Sequence, residues 1–516
     1  MLHAEHGRLL NSRGQNILVQ GVSCWFGEAP DAVDPDHDEA DYERVAAMGF
    51  NSIRFHFNYN AFEDDSAPYQ YKDSGFARFD QSIAWAKAHG IQLVLSLGVP
   101  QGGSQLNCGG TALWDIPDNQ DRVVALWRAI AQRYATEPTL AGYSLIDQPS
   151  PTSSLAQWQS LANRIAAAIR EVDVQHLLVV DQATPIGCNY DNQYNPGASL
   201  IVLDDPNVLY ALAAYWPWVY TNQLTAGSHL EDAGAYPDEE RLGTSDFQDL
   251  TLLQTHPGSP LLTPDETTWT RKRFYYTAVN QTAQIAQVSL RSANNPGTVY
   301  FDDLLVEEFD PDFNFVRTLI DADLEDPTNW NLYQDPAGAG AGVKGTGADG
   351  HRGSASITLS GTTGEASLNF SDLYAFPLRQ NYTYRVTGWM KGENSAPNSA
   401  SMIGLNLYTD IGSVPPPRNK ANLAAMLQRF VDWGHSHDVP LYVGDLGTGA
   451  PSFENGRGGL TWVSDMVDLM TQANLSFSYS EYHGADYGIY RGDGGPVDPS
   501  NANQPLIDLF TQKLGQ

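Results

Sequence analysis

Hydrophobic positions along this chain follow two alternating patterns. Short, nearly continuous apolar runs are typical of strands buried on both faces. Between them lie amphipathic stretches such as Phe79–His89, where Phe79, Ile83 and Ala86 share one face and Gly90 ends the helix. The predicted strands are Asn16–Gly21, Ser52–Phe57, Ile91–Leu97, Ala141–Ile146, Leu177–Asp181, Val208–Tyr215, Leu441–Gly444 and Leu475–Tyr479. The predicted helices are Tyr42–Met48, Phe79–His89, Arg122–Tyr134, Leu155–Glu171, Leu423–His435, Leu460–Gln472 and Pro505–Leu514.

This alternation of strand and helix predicts parallel strands joined by right-handed crossovers. Eight such strands favour a closed (β/α)8 TIM barrel over an open sheet, and the segment after Asp181 lacks a clear helix. The first strand is not followed by a GxGxxG or Walker loop, which disfavours a nucleotide-binding fold. In such a barrel the chemistry lies at the carboxyl ends of the strands.

Between the sixth and seventh strands lies a segment, from about Leu224 to Ile411, whose composition and hydrophobic pattern differ from the rest of the chain. This segment is rich in Thr, Ser, Asn and Gly, and its apolar residues alternate with period two. Its predicted strands are Arg273–Ala278, Gln284–Leu290, Thr298–Val306, Ser354–Leu359, Ala366–Phe370, Tyr382–Met390 and Met402–Tyr408. The pattern predicts an antiparallel β-sandwich inserted into the barrel, with Pro-rich Val414–Arg418 as the return linker. The predicted domain bounds are therefore 1–226 and 413–516 for the barrel and 227–412 for the sandwich.

Composition and charge narrow the classes of partner. Lys and Arg number 29 against 61 Asp and Glu, which gives a net charge of −32. Because nucleic acid and anionic membranes need a basic face on the protein, we expect them to be poor partners. The sequence has no apolar run long enough to span a membrane, and no signal peptide precedes His3. Three cysteines, Cys24, Cys108 and Cys188, allow at most one disulfide and match no zinc spacing, and His56, His435 and His437 show no metal pattern either.

Several motifs resemble one known family. They are Gly7-Arg8-Leu9-Leu10 with Val19-Gln20-Gly21-Val22, Phe50-Asn51-Ser52-Ile53-Arg54, Leu126-Trp127 with Ile130-Ala131-Gln132-Arg133-Tyr134, Gly142-Tyr143-Ser144-Leu145-Ile146, and Tyr215-Trp216-Pro217 with Thr221-Asn222-Gln223. Together they resemble glycoside hydrolase family 5, the cellulase-like barrels, over Leu2–Gln223 and Asn419–Gln516. The resemblance implies retaining hydrolysis by two glutamates, one acid/base and one nucleophile, about 5–5.5 Å apart.

Both catalytic positions are substituted relative to that family. The Asn-Glu-Pro motif of the family corresponds to Asp147-Gln148-Pro149 in this chain, and a side-chain amide does not ionise and cannot act as a general acid. Its Gly-Glu-Phe-Gly reads Gly444-Asp445-Leu446-Gly447, which retracts the carboxylate by about 1.5 Å. Sugar-holding positions of the family also carry other residues, namely Gly98, Ala213, Asn222 and Ser480, whereas Arg54, Tyr215 and Pro149 keep their types. The resemblance therefore predicts an inactive catalytic centre, either dismantled naturally or, at Gln148, changed by engineering.

Aromatic residues after the barrel strands fit a glycan groove, because aromatic faces stack on sugar C–H surfaces. The predicted substrate-binding residues are Trp25, Arg54, Trp114, Asp147, Tyr215, Trp216, Trp218 and Glu481. Each has an alternative interpretation. Arg54 could pair structurally with Asp147, Asp445 could be an ordinary polar strand end, and the tryptophans could pack under loops. Glu481 could be a solvated loop residue or a substitute acid.

The inserted segment resembles jelly-roll carbohydrate-binding modules. Thr298–Val306 looks like their last strand and Leu319–Glu325 like their first, so the order implies a circular permutation. The resemblance implies a structural Ca²⁺ with Asp303 and Glu325 as candidate ligands, and no cofactor for chemistry.

Three functional hypotheses follow. The first is a carbohydrate-binding pseudoenzyme that holds a neutral β-linked polysaccharide or oligosaccharide. The second is an active retaining β-glycosidase with an atypical acid pair, and the third is a structural or cell-surface interaction protein. We expect a monomer, and the family resemblance implies an extracellular or periplasmic location.

Overall fold

The computed structural model describes most of the chain. The described residues are 1–25, 37–188, 190, 192–226, 228, 230, 232–242, 250–256, 258–279, 283–328, 330–334, 341–369, 375–410, 417–492 and 495–515. Part of the predicted linker, residues 414–416, lies outside these ranges.

The first part of the chain alternates strands and helices after a short hairpin. Its strands are β1 His3–Glu5, β2 Arg8–Leu10, β3 Gln20–Trp25, β4 Ser52–Asn58, β5 Gln92–Val99, β6 Leu140–Ser144, β7 Leu177–Asp181 and β8 Val208–Ala214. Its helices are α1 Glu39–Ala47, α2 Asp73–His89, α3 Thr111–Asp115, α4 Pro117–Tyr134, α5 Leu155–Arg170, α6 Pro196–Ser199 and α7 Trp218–Thr221. Local signals fix several ends: Asp38 caps α1 in a capping box, and Gly90 ends α2 in the left-handed conformation.

The inserted segment is entirely β structure among its described residues. Its strands are β9 Asp238–Leu242, β10 Leu250–His256, β11 Thr270–Thr277, β12 Ile285–Ala293, β13 Thr298–Phe309, β14 Phe315–Ala322, β15 Asn331–Gln334, β16 Ala341–Gly347, β17 Ser356–Thr363, β18 Glu365–Asn369, β19 Ala375–Pro377, β20 Thr383–Glu393, β21 Ala400–Asp410 and β22 Pro417–Arg418. One sheet has the order β10-β21-β12-β18-β15 and the other β11-β20-β13-β17-β16, with β19 and β14 pairing at β12 and β13. All these pairings are antiparallel. Side chains such as Leu290, Phe301, Leu359 and Leu405 from both sheets share one buried cluster, which makes the pair a sandwich.

The last part of the chain returns to the α/β pattern with α8 Lys420–His437, β23 Leu441–Leu446, α9 Gly459–Gln472, β24 Ser476–Tyr479 and α10 Gln504–Leu514. Eight parallel strands close into a barrel in the order β3-β4-β5-β6-β7-β8-β23-β24. This confirms the predicted (β/α)8 barrel, and the sandwich strands intervene between its sixth and seventh strands.

The predicted first strand was wrong by about four residues. The sequence indicated Asn16–Gly21, but β3 begins at Gln20 and continues to Trp25. Gly21 does not end the strand. It lies where a Cβ atom would approach the Ser52 side-chain oxygen to 2.3 Å, so it allows β3 and β4 to approach closely. Among the described residues between β7 and β8, the one helix is the four-residue α6, in agreement with the weak helical signal there.

The chain divides into two compact units, Met1–Tyr215 with Leu423–Gln516 and Trp216–Asn422. The three cysteines are free thiols. Burial and contact with Cys188 raise the pKa of Cys108 to about 11. A search of the described residues finds no helix with the length and apolar character required to cross a bilayer.

Candidate functional site at the carboxyl ends of the barrel strands

Arg54 lies at the centre of the ion pairs at the upper end of the barrel. Its guanidinium, fully buried on β4, is 3.0 Å from an Asp147 oxygen, 2.6 Å from Asp181 and 3.2 Å from Asp445. It also donates a 3.0 Å hydrogen bond to the Ser144 hydroxyl. The structural pairing of Arg54 with Asp147 is therefore confirmed.

The ion pair between Arg54 and Asp445 depends on a close approach between the Arg54 side chain and the β23 backbone. Gly444 precedes Asp445 on β23, and a Cβ atom at Gly444 would lie 2.6 Å from the Arg54 Nη1 atom. A glycine is thus required for the arginine to reach the seventh barrel strand. The partners of Arg54 come from the ends of β6, β7 and β23, which meet only because the barrel closes.

The carboxylates around Arg54 are almost completely removed from water. Asp147, Asp181 and Asp445 are 2%, 4% and 3% exposed. Burial raises the pKa of Asp147 well above its usual range, and the nearby Asp445 charge adds to the rise while Arg54 opposes it. Burial likewise raises the pKa of Asp181, against the opposing effect of Arg54.

Gln148 contacts Asp445 directly. Its side-chain amide donates a 3.3 Å hydrogen bond to the Asp445 Oδ2 atom, which also accepts from Arg54. Gln148 is half-buried and has a left-handed backbone with φ of 42°. The two positions that the family resemblance assigns to acid/base and nucleophile are therefore joined by an amide–carboxylate hydrogen bond.

His56 lies in the same layer of the barrel as this group. It follows Arg54 by two positions on β4, so both side chains point to the same face. The ring is fully buried, and its Nδ1 atom lies 3.9 Å from the Asp147 Oδ2 atom. Burial lowers the pKa of His56 well below its usual range, and Arg54 adds to the effect. Among the described residues, neither ring nitrogen has a hydrogen-bond partner.

Trp25 covers His56. The two rings are stacked with centroids 4.2 Å apart and planes within 4°, and Trp25 is half-buried. Gly98 provides the space for the indole, since a Cβ atom there would lie 2.8 Å from the Trp25 ring. A larger residue at position 98 would therefore displace Trp25.

A second aromatic group lies at the same end of the barrel. Tyr215 follows β8 and packs edge-to-face on Tyr487 with centroids 5.7 Å apart. Burial raises the pKa of Tyr215, and the nearby Asp445 charge adds to the effect. Glu481 follows β24 after a cis Ser480–Glu481 peptide bond and is half-buried.

Two of the remaining predicted groove tryptophans, Trp114 and Trp216, are buried, and Trp218 is half-buried. Trp114 is 6% exposed, and its indole N–H donates a 2.8 Å hydrogen bond to Gln105. Trp216 is 2% exposed and lies in the second compact unit. Trp218 lies in that unit too, packed against the hydrophobic cluster of the sandwich. The burial of Trp114 fits the alternative of packing under loops, and the substrate-binding roles of Trp216 and Trp218 stay predictions.

The two candidate calcium ligands already have protein partners. Asp303 contacts His351 and pairs with Arg352 at 2.9 Å. Glu325 accepts hydrogen bonds from the Ser354 and Ala355 backbone amides at 3.1 and 3.0 Å. The structural Ca²⁺ stays a prediction.

Sequence reasoning missed three residues of the barrel site, His56, Asp181 and Tyr487. Asp181 and His56 could have been found, because each occupies the carboxyl-terminal half of a predicted barrel strand. Tyr487 lies in a loop after the last strand, where the sequence carries no periodic signal.

Comparison with known proteins identifies the family of the chain. The Cellulase (glycosyl hydrolase family 5) model matches residues 10–295. The chain belongs to glycosyl hydrolase family 5. This membership agrees with the closed eight-stranded barrel and with the family resemblance of the strand-end motifs.

Individual relatives within or near this family match only parts of the chain. Endoglucanase C of Acetivibrio thermocellus is 30% identical over 198 residues, 38% of this chain and 55% of that protein. The β-xylosidase of Phanerodontia chrysosporium is 36% identical over 154 residues, 28% of this chain and 32% of that protein. The chain thus spans about half or less of the length of these curated relatives. The structure of a mutant form of Thermotoga maritima Cel5A with cellobiose covers 96% of each chain at a TM-score of 0.50 and 13% identity, which shows the shared fold.

Proposed function

We propose that this family 5 barrel binds a neutral β-linked polysaccharide and hydrolyses it little or not at all. The observation that carries the proposal is the hydrogen bond from Gln148 to Asp445. Retaining hydrolysis requires a proton donor and a nucleophilic carboxylate on opposite sides of the scissile bond. At the acid/base position this chain has an amide, which does not titrate.

The nucleophile position is also unsuited to attack. The Asp445 Oδ2 atom accepts hydrogen bonds from both Arg54 and Gln148. These bonds stabilise the carboxylate in place and lower its tendency to attack carbon. The Asp445 side chain is shorter than that of a glutamate by about one C–C bond. Its carboxylate would therefore lie farther from the sugar carbon that a nucleophile must attack, which also disfavours the reaction.

Aromatic and neutral polar groups remain available for binding. Trp25 is half-buried and held by stacking on His56, and Tyr215 and Tyr487 form a second pair. Such rings favour the C–H faces of sugars, and Gln148 offers an amide to a hydroxyl. The relatives named endoglucanase and β-xylosidase suggest β-linked glucan or xylan as the ligand class.

One observation favours an active β-glycosidase as the second candidate. Glycosidases use a carboxylic acid with a raised pKa close to a second carboxyl group, and Asp147 has a raised pKa next to Asp445. Its 2% exposure and its ion pair with Arg54 argue against contact with substrate. Glu481 is the other candidate acid in this hypothesis.

The inserted sandwich offers an independent binding surface. We propose that it is a circularly permuted jelly-roll module related to carbohydrate-binding modules, with domain bounds close to 227–412. Trp269, Tyr300 and Trp389 cluster on one of its faces, where His351 stacks on Trp389 at 3.6 Å. An extracellular or periplasmic location and a monomeric state stay predictions.

The test combines affinity electrophoresis in β-glucan, mannan and xylan gels with product analysis after long incubation. The proposal expects retardation in at least one gel, with at most trace products. Trp25→Ala should reduce retardation if the barrel binds, whereas Trp269→Ala should do so if the sandwich binds. Strong hydrolysis by the unmodified chain would support the glycosidase hypothesis, and no retardation in any gel would support the structural one.

A further inference from the structure

The ion-pair group at the upper end of the barrel contains three carboxyl groups and one guanidinium. One guanidinium, that of Arg54, pairs with the carboxylates of Asp147, Asp181 and Asp445. One cation therefore faces three carboxyl groups in this ion-pair group of described residues. Carboxyl groups held this close together and away from water are stabilised when they share a cation, and a divalent ion can be shared in this way.

An unpartnered histidine faces the same place. His56 has no exposed surface, and within the described ranges both of its ring nitrogens lack a hydrogen-bond partner. Buried imidazoles nearly always have at least one partner, so an orphaned ring indicates a ligand. Ser96, paired with His56 in register on β5, also has a buried hydroxyl without a partner among the described residues.

The geometry of these groups matches a shared cation. One ligand atom each from His56, Asp147 and Asp445 can be chosen so that all three lie within 4.8 Å of one another. Atoms that share a cation with bonds of 2.0–2.2 Å are at most ~4.4 Å apart, so only a small contraction is needed. The half-buried Gln148 side chain contacts the Asp445 carboxylate and so lies beside this group.

We propose that His56, Asp147 and Asp445 form a binding site for one divalent transition-metal ion. An imidazole nitrogen with two carboxylate oxygens suits zinc, manganese or cobalt, whereas Ca²⁺ prefers oxygen ligands alone. Water would occupy the fourth coordination position of the ion, or the Gln148 side-chain oxygen would do so after rotation of the amide. This inference does not rest on the proposed function, since glycan binding and metal binding can each fail without the other.

The site is tested by treating the full chain with a chelator, removing the chelator, and titrating the protein with Zn²⁺ in a calorimeter. We expect one equivalent bound with micromolar or tighter affinity, and at least tenfold weaker binding for His56→Gln and for Asp445→Asn. The matched control is His435→Gln with His437→Gln, which removes two exposed histidines of α8 and should leave the affinity unchanged. Loss of binding in this control, with binding retained in His56→Gln, would assign the ion to an adventitious surface site.

A spectroscopic measurement on the unmodified chain does not depend on whether the variants fold. With one equivalent of Mn²⁺, pulsed electron paramagnetic resonance should show ¹⁴N coupling from one imidazole. Absence of any stoichiometric binding, or a bound ion without nitrogen coupling, would overturn the proposal. Affinity electrophoresis of the chelator-stripped protein then shows separately whether glycan binding persists.

Discussion

The Gln148 amide and the Asp445 carboxylate are joined by a 3.3 Å hydrogen bond across the upper end of the barrel. In an active retaining enzyme, two carboxyl groups would stand at these positions with substrate between them. Here the amide is bonded to the carboxylate instead, and Arg54 bonds to the same oxygen. In the proposed function, this arrangement serves binding rather than chemistry.

Restoring both glutamates should therefore recover little activity. In Gln148→Glu with Asp445→Glu, we expect no more than trace release of reducing sugar from β-glucan, mannan or xylan. The physical reason is that Gly98 and Ala213 offer no hydrogen-bonding side chain and Ser480 offers only a short hydroxyl to orient the sugar, while Trp25 occupies the space beside Gly98. Readily measured hydrolysis by the double variant would contradict this expectation. Adding Glu481→Gln to the double variant then tests whether any such activity depends on Glu481.

The fold was largely predictable, because both periodicities are strong. The bounds of β7 and the start of β8 match the predicted ones, since Leu177–Asp181 is a continuous apolar run that ends at an acidic residue. The first strand was misplaced because Gly21 resembles a strand end in sequence. Its real role, close approach to Ser52, depends on a neighbouring strand that the local pattern does not contain.

The site was only partly predictable. The strand ends indicated Arg54, Asp147 and Asp445, and the structure brings all three together. His56 shows no metal spacing in sequence, because its partners come from other strands. Trp114 looked like a loop residue free to bind, but the short helix α3 turns its indole onto Gln105.

Binding by the barrel should depend on Trp25. Trp25→Ala should weaken the affinity for the preferred oligosaccharide about 2- to 10-fold, since one stacked ring contributes about 0.5–1.5 kcal/mol. The comparison variant is Gln148→Ala, which should weaken binding less. A single neutral hydrogen bond contributes no more than one stacked ring, and water can take the place of the lost amide. Calorimetry of both variants, with circular dichroism to verify folding, makes the measurement. Equal affinity of Trp25→Ala and the unmodified chain would place the ligand elsewhere.

Removing Arg54 should destabilise the barrel strongly. Arg54→Met leaves three buried carboxylates without their cation, and breaking a buried ion pair costs about 3–5 kcal/mol. The control is Arg128→Met, whose partner Glu171 is exposed and whose loss should cost at most about 1 kcal/mol. Urea denaturation at neutral pH compares the two free energies of unfolding. Similar values for both variants would contradict the assigned role of Arg54.

Stability in acid should depend on Asp173. Burial alone would raise its pKa, but hydrogen bonds from His176 and from the Gln175 backbone lower it to about 2. Because the folded-state pKa is below the unfolded value of about 3.9, this contribution is present above pH 4 and is lost as the pH falls toward 2. Asp173→Asn should therefore lose about 2 kcal/mol at pH 6 and progressively less below pH 4.

Denaturant unfolding of this variant between pH 2 and 7 provides the measurement. Asp508→Asn, at an exposed position of α10, controls for the loss of one surface charge. A difference between Asp173→Asn and the unmodified chain that stays constant down to pH 2 would contradict the argument.

The central claim, binding without turnover, is tested most directly by one calorimetric titration of the unmodified chain with cello-, manno- and xylo-oligosaccharides. Binding gives a heat pulse that saturates, whereas hydrolysis gives heat that continues for as long as substrate remains. The account predicts a saturable isotherm in the micromolar to millimolar range for at least one series, worth about 4–8 kcal/mol, with no continuing heat. Sustained heat that scales with substrate, or the absence of any binding heat in all three series, would contradict it.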